Sequence, residues 1–429
     1  MRPVVIIGGG ISGLSTAYFL RKAGLPSTII ERQPQLGGLI RTEGIHGCTV
    51  ELGPDSFLST KPAARELAQE LGLGSELIGS NDHRRGTYIW RGGRLRRMPD
   101  GMTMMVPGRL GPLLSSDLLS WPGKVRASFD LFRRPSKAPG DRSVAEFVTD
   151  HFGKEVLDYI AEPMLSGVYG GDPATMSVLS VTPQFAAWEA KYGSLTRAAR
   201  AELKDRKGSF FTTLKGGLQT LVDRLVQATQ PEVIVGSVDK VEKGWRVRVN
   251  GEWIDCEHLV IACRPDAVLP SLFPDIRYNS ARVIAVGYRT SDVPSKLEGF
   301  GFLVPKIERN AIAACTWVPN KFDHRAPDDI VLLRLFTGGA KADFEAEVAQ
   351  KLGIRGKPLF VREALWENSM PQYDVGHTEK VGIIEEMLCD FPGLHLAGNS
   401  YKGVGIPDCI ESARKAAEAI TASYRFSTT

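Results

Sequence analysis

Residues 4–20, VVIIGGGISGLSTAYFL, constrain the fold more than any other part of the chain. Residues 3–7 are a continuous apolar run, the pattern of a parallel strand buried on both faces. Gly8, Gly9, Gly10, Ile11, Ser12 and Gly13 then give GxGxxG. In such a turn the first glycine permits a tight bend and the second lets backbone approach a pyrophosphate. The last lets helix and strand pack closely. Leu14, Ala17, Tyr18, Arg21 and Ala23 follow in a helical pattern, so a helix N-terminus faces the phosphates. The next strand, residues 27–30, ends at Glu31, 18 residues after Gly13. An acid there reaches the adenosine ribose hydroxyls. Strand, glycines, helix, strand and acid in this order predict a dinucleotide site on a doubly wound, Rossmann-like α/β sheet. The competing reading is a glycine-rich turn in a nucleotide-free αβ unit.

Arg32 follows the acid, and Gln35-Leu36-Gly37-Gly38-Leu39-Ile40-Arg41-Thr42 comes next. This resembles the second glycine motif of flavin enzymes of the amine-oxidase type. Paired glycines let backbone run beside the ribityl diphosphate, and Arg41 supplies positive charge for phosphate. A plain NAD dehydrogenase has no need of this extension, so the expected cofactor is FAD.

The 429 residues give room for two or three domains of roughly 150 residues each. A net charge of +4 is too weak to argue for a nucleic-acid partner, and none is expected. Six scattered cysteines show no CxxC and no metal-ligand spacing, so they read as reduced thiols of a cytoplasmic protein without a metal. The first strand begins at residue 3 or 4, which leaves no room for a targeting peptide. No run of about 18 apolar residues is present to span a bilayer.

Residues 1–82, 206–265 and 386–429 carry nucleotide-domain patterns and are expected to form one discontinuous FAD-binding domain. They include Gly216-Gly217-Leu218 opening a helix through Leu225, strands at 232–235, 245–249 and 259–262, and a closing strand at 394–399. Residues 83–205 are expected to be a mainly helical insertion, opened by a basic hairpin at 84–97. Residues 266–385, with strands from 281–290 to 331–337, are expected to be an α+β substrate-binding sheet domain. Insertions of this kind place a substrate over a cofactor.

Near the C-terminus Gly403-Val404-Gly405-Ile406-Pro407-Asp408-Cys409-Ile410 leads into a helix expected at 411–420. A glycine turn meeting a helix N-terminus offers donors to an electron-rich atom. At a flavin that atom is the N1/O2 edge, where negative charge collects on reduction. The alternative is a plain strand-turn-helix, with Asp408 serving only the helix dipole.

Further segments resemble the FAD-dependent porphyrinogen oxidases of haem biosynthesis. They are Glu51-Leu52-Gly53-Pro54-Asp55-Ser56-Phe57-Leu58, Glu162-Pro163-Met164-Leu165-Ser166-Gly167-Val168-Tyr169-Gly170-Gly171-Asp172-Pro173, Phe300-Gly301-Phe302-Leu303-Val304-Pro305, Met370-Pro371-Gln372-Tyr373-Asp374-Val375-Gly376-His377 and the 401–410 run. The match runs in order from residue 4 to about 420. The resemblance implies oxidation of a cyclic tetrapyrrole, in which six electrons leave in three two-electron steps to the flavin. Dioxygen is then the acceptor and hydrogen peroxide the by-product. It implies FAD contacts at Gly8, Gly9, Gly10, Ile11, Ser12, Gly13, Glu31, Arg32, Leu39, Gly53, Pro54, Asp55, Ser56, Val238, Trp366, Val404, Gly405 and Ile406. Gly38 and Arg41 join them from the glycine motif. Two substrates fit the family, coproporphyrinogen III and protoporphyrinogen IX. Trp366 before Met370-Pro371-Gln372-Tyr373, and the 406–409 run, look most like the bacterial coproporphyrinogen branch. In the other branch an Arg follows a Pro-x-Gly-x turn; here Thr103 follows Pro99-Asp100-Gly101-Met102.

No nucleophile triad, metal cluster or carboxylate pair is visible in the sequence, which suits chemistry carried by the cofactor. Gly167 matches a position whose carbonyl faces the tetrapyrrole; its plainer reading is a turn residue. Leu303 matches an apolar wall position; its plainer reading is core packing. Propionates need cations, and Arg84, Arg85, Arg91, Arg94, Arg96 and Arg97 cluster with no acid between His83 and Pro99. A solvated face or acidic lipid headgroups are the other uses of such a run. The apolar stretch from Met102 to Trp121 is expected to wall the cavity, with peripheral contact at the inner face of a membrane as its second use. His377 is expected to be structural. Monomer and homodimer both remain open. The competing functions are another flavin oxidase of the same fold, acting on amines or carotenoids, and a non-enzymatic binding protein. Intact glycines and Glu31 argue against the latter.

Overall fold

The computed structural model describes residues 2–135, 140–202, 208–270, 272, 273, 275–294, 297–337 and 343–426. Residues 203–207, which span the expected boundary between helical insertion and cofactor domain, lie outside the described residues.

The strand Arg2–Ile7 lies at the centre of a parallel sheet. It pairs with Ser27–Glu31 on one side and Glu252–Ile261 on the other. Glu232–Val235 and Leu394–Leu396 extend the sheet outward in the same direction. Side chains alternate along the first strand. Val4 and Ile6 pack beneath the helices Ile11–Lys22, Gln219–Thr229 and Ile406–Phe426, and Val5 and Ile7 enter a second core with Trp245, Val247 and Leu259. Burial on both faces explains the unbroken apolar run. The first half of Glu252–Ile261 turns antiparallel and pairs with Arg246–Val249, which pairs with Val238–Glu242.

A second sheet runs in the order Phe360–Pro371, Tyr278–Arg289, Ile330–Thr337, Ile312–Trp317, Gly301–Leu303, Thr87–Arg91, Arg94–Arg97. The basic hairpin therefore belongs to this sheet, not to the helical insertion expected at 83–205. Its strand Thr87–Arg91 pairs in parallel with Gly301–Leu303. Helices between Leu110 and Glu202 pack around Phe147, Phe152, Ile160 and Phe185.

Three elements differ from the sequence reading. The last helix begins at Ile406, not near Glu411, because Ile406, Ile410, Ala413 and Ala417 already lay a buried stripe against the sheet. The strand Phe360–Pro371 was not expected; it is an edge strand rich in charge and lacks a clean alternation. The helix His377–Leu388 straddles the expected boundary at 385/386, and its part within the expected substrate domain packs on the nucleotide sheet through Val381 and Ile384. No described helix is long and apolar enough to cross a membrane.

Candidate functional site

A cavity of about 2450 Å³ opens between the two sheets and the helical layer. That exceeds the roughly 300–1,000 Å³ typical of a site for one small ligand. It has room for a dinucleotide and a second large molecule.

The cavity gathers the candidate cofactor residues from three parts of the chain. From the N-terminal unit come Gly8, Gly10, Ile11, Ser12, Glu31, Arg32, Gly38, Leu39 and Arg41. Gly53, Pro54, Asp55, Ser56 and Val238 line it next, and Trp366, Val404, Gly405 and Ile406 close the wall. Gly9 and Gly13 are not at the cavity surface. Gly13 faces the first strand, where an added Cβ would meet Gly8 O at 1.9 Å. The Gly9 N–H donates to Glu31 Oε2 at 2.7 Å. Both glycines thus shape the turn from behind.

The donor chemistry fits FAD. Gly10 caps the helix Ile11–Lys22 with no side-chain hydrogen bond, which leaves the first-turn N–H groups for an anion. Glu31 sits at the strand end with Oε1 also accepting from Gln33 N at 3.0 Å. The two glycine turns meet: Gly10 and Gly37 form a bridge. Arg41, expected on phosphate, pairs at 3.1 Å with Glu43. Gly403 has φ +94°, and the helix starting at Ile406 follows at once. Asp408 accepts from Gly405 N at 3.2 Å and binds Lys61 at 2.7 Å, which is the plainer of its two readings, a helix-start acid.

The loop 53–56 is held by Trp366, expected as a cofactor contact, and by two cations the sequence did not reveal. Trp366 Nε1 donates to Leu52 O at 2.7 Å, and Arg334 donates to Gly53 O. Lys321 and Arg334 both bind Asp55, at 2.9 and 3.0 Å. These cations hold the Asp55 carboxyl well below the usual carboxylate range, although burial pushes it up. Arg334 interrupts the apolar strand Ile-Val-Leu-Leu-Arg-Leu-Phe-Thr; a charge inside a buried strand was the signal that could have found it.

Gly167 and Leu303 meet on another wall. Gly167 is exposed on the helix Glu162–Tyr169, and an added Cβ would only touch Leu303 Cδ2 at 3.6 Å. Met98, Met102, Met104, Met164 and Val404 make the adjoining surface apolar. Glu162 fastens this helix to the second sheet through Arg309 at 2.8 Å and the Lys306 N–H at 2.8 Å.

His377 is buried, stacked on Tyr373 at 4.1 Å, and its Nε2 donates to Tyr401 O at 2.9 Å. Burial pushes its pKa down, which favours the neutral imidazole in this contact. The hairpin arginines are not a free cation patch. Acids outside the run engage four of the six: Arg91 binds Glu155 at 2.7 Å, Arg94 and Arg96 share Asp117, and Arg97 meets the nearby Asp100. Arg85 differs. It lines the cavity with its guanidinium 4.5 Å from the Phe210 ring, and no described carboxylate pairs with it. The apolar stretch is mostly core, with Met105, Val106, Leu113, Leu118 and Leu119 buried; Leu114 and, at its end, Trp121 are exposed.

Asp150, His151 and Glu189 do bring metal-type ligand atoms together, a grouping the sequence spacing did not suggest. Arg133 and Arg142 already hold Asp150, and Arg142 holds Glu189 at 2.6 Å. Guanidinium charge fills the place a cation would take.

Residues 11–421 match the family of flavin containing amine oxidoreductases. Coproporphyrinogen III oxidase of Bacillus subtilis is 33% identical over 99% of this chain and 98% of its own. Protoporphyrinogen oxidase 2 of Arabidopsis thaliana is 25% identical over 97% of this chain and 93% of its own. The crystal structure of an Exiguobacterium protein provisionally named a protoporphyrinogen oxidase superposes with a TM-score of 0.88 and 29% identity, covering 98% of this chain and 99% of that one. With its glycine turns, acid and closing helix gathered on one cavity, the chain belongs to the flavin containing amine oxidoreductase family.

Proposed function

We infer that this flavin enzyme oxidises a porphyrinogen to the porphyrin in haem biosynthesis, with coproporphyrinogen III as its main substrate. One observation carries the reading. A single cavity has the FAD-type residues on one wall and the open, apolar Gly167–Leu303 surface on another. The order of identities favours coproporphyrinogen, since the oxidase of that name in B. subtilis is 33% identical and the plant protoporphyrinogen oxidase 25%.

FAD held by these residues would supply the two-electron acceptor, with dioxygen as the final oxidant and peroxide as its product. The chain itself positions and encloses. Gly167 gives a flat macrocycle close access to backbone. The methionines and Leu303 keep water from the ring carbons. Arg85 offers a bidentate partner for a propionate. Gly8, Gly10, Gly38 and Leu39 would hold the diphosphate, Glu31 the ribose, and Val404, Gly405 and Ile406 the electron-rich edge of the ring.

The enzyme also docks on lipid at the inner face of the membrane. Trp121, Val125, Phe129 and Phe132 are 68%, 52%, 56% and 77% exposed, and their spacing puts them on one helical face. Apolar side chains in such a row, with the exposed Arg134 following, match an interfacial helix.

The test is incubation of the FAD-loaded protein with coproporphyrinogen III and, separately, protoporphyrinogen IX, followed by porphyrin fluorescence. Coproporphyrin forming faster than protoporphyrin supports the assignment. The reverse order transfers the activity to the other substrate, and neither rate above autoxidation overturns it.

A further inference from the structure

Five charged side chains cluster under the loop Gly53-Pro54-Asp55-Ser56: Glu51, Asp55, Lys321, Arg325 and Arg334. Three are cations and two are carboxylates, so the group carries one positive charge in excess. Asp55 is shared. Lys321 Nζ lies 3.0 and 2.9 Å from its two oxygens, and Arg334 Nη1 lies 3.0 Å from Oδ2. Glu51 is turned away. It accepts from the Thr42 hydroxyl at 2.7 Å and Leu218 N at 2.8 Å, and stands 3.7 Å from Arg325. Asp55, Lys321 and Arg334 line the cavity, whereas Glu51 and Arg325 lie behind them. At the cavity surface two cations therefore face one carboxylate.

This excess is not a solvated surface charge. Arg334 is 2% exposed and the Lys321 side chain 12%. Burial drives the Lys321 ammonium below the ordinary lysine range even with Asp55 in contact. Arg334 Nε is buried and has no hydrogen-bond partner among the described residues. A dry excess of cations at the cavity wall marks a place that negative charge entering the cavity would offset.

Position selects the cofactor as the source of that charge. The loop that these cations carry packs on the paired-glycine turn, where a Cβ on Gly53 would lie 1.7 Å from Leu39 O. The Gly167–Leu303 surface is built from a different helix and strand. Hydride uptake brings two electrons and one proton, so FAD gains one negative charge when it is reduced. Fixed cations in a dry wall stabilise charge that appears there. We propose that Lys321 and Arg334, held in place by Asp55, raise the reduction potential of the bound FAD. The proposal rests on FAD binding and is independent of which porphyrinogen is oxidised.

The experiment measures the midpoint potential of the bound flavin against a reference dye, and the dissociation constant of its sulfite adduct, in three variants of the holoenzyme. Neither readout uses a porphyrinogen, so a failed substrate assay leaves it intact. Lys321→Met removes one cation and is expected to lower the reduction equilibrium about tenfold, roughly 30 mV for two electrons, and to weaken sulfite binding by a similar factor. Asp55→Asn removes the shared carboxylate and is expected to shift both readouts the opposite way. Lys321→Arg keeps the charge and is expected to match the parent. A loop merely loosened by mutation would move Lys321→Met and Asp55→Asn in the same direction. Shifts of the same sign, or none above about 10 mV, a roughly twofold change, overturn the proposal. Should Lys321→Met not retain FAD, Asp55→Asn decides alone: a higher potential supports the proposal and any other result overturns it.

Discussion

Gly53 is the tightest point in the proposed cofactor clamp. A Cβ there would stand 1.7 Å from the carbonyl oxygen of Leu39 and 2.9 Å from its carbonyl carbon. The obstacle is backbone of the paired-glycine turn, not the end of a flexible side chain. Either the loop 53–56 or the turn 37–40 must move. The loop is tied to Trp366, Arg334 and Lys321, so movement disturbs both halves of the clamp. Overpacking of this kind costs about 1–3 kcal/mol. If that cost falls on the FAD-bound state, Gly53→Ala weakens FAD binding roughly five- to 150-fold, at about 1.4 kcal/mol per tenfold. The assay is titration of the deflavinated protein with FAD, followed by flavin fluorescence. Gly44→Ala is the control, because nothing lies within 4 Å of a Cβ added there. Wild-type FAD affinity in Gly53→Ala, at unchanged thermal stability, would refute the idea that loop and turn must touch to hold the cofactor.

Gly167→Leu separates substrate access from folding: a helical glycine costs about 1 kcal/mol relative to alanine, so the variant should keep FAD and its Tm while kcat/KM falls at least about tenfold. Arg85→Ala should raise the KM for coproporphyrinogen about five- to tenfold, the loss of one charge-assisted contact, whereas Arg94→Ala, whose guanidinium already meets Asp117, should not. His395 is pushed down to about 4 by burial and by His258. It stays neutral in the fold while the unfolded chain takes up a proton near about 6.5, so its stabilising contribution is present above that pH and is lost as pH falls toward about 4. His395→Asn should therefore flatten the decline of Tm across that window, read by thermal melts at successive pH values. Trp121→Ser with Phe132→Ser should abolish sedimentation with anionic vesicles and leave oxidation in solution unchanged; retained sedimentation would remove the lipid contact from the account.

The features legible in the sequence are those set by local backbone geometry. GxGxxG, the paired glycines at 37–38 and the acid at Glu31 each follow from what a few consecutive residues must do, and they line or shape one cavity. Contacts between distant residues were not legible. The arginines of the hairpin looked unpaired because their acids, Glu155 and Asp117, arrive from the helical layer. Lys321 and Arg334 gave no motif, yet they fix Asp55 across the fold. The charged edge strand Phe360–Pro371 hides its alternation, because much of its surface faces solvent or the cavity instead of core. Helix starts were blurred in the same way: Pro407 and Asp408 read as turn residues, and only packing of Ile406 and Ile410 against the sheet reveals them as a first turn.

The central claim is that this cavity passes electrons from a porphyrinogen to its flavin. The direct measurement mixes the FAD-loaded protein with substoichiometric coproporphyrinogen III in the absence of dioxygen and follows the oxidised flavin band near about 450 nm. The account predicts bleaching of three flavins for each porphyrin formed, reversed on admitting air with release of peroxide. A band that stays unbleached while the free porphyrinogen is demonstrably intact would contradict it.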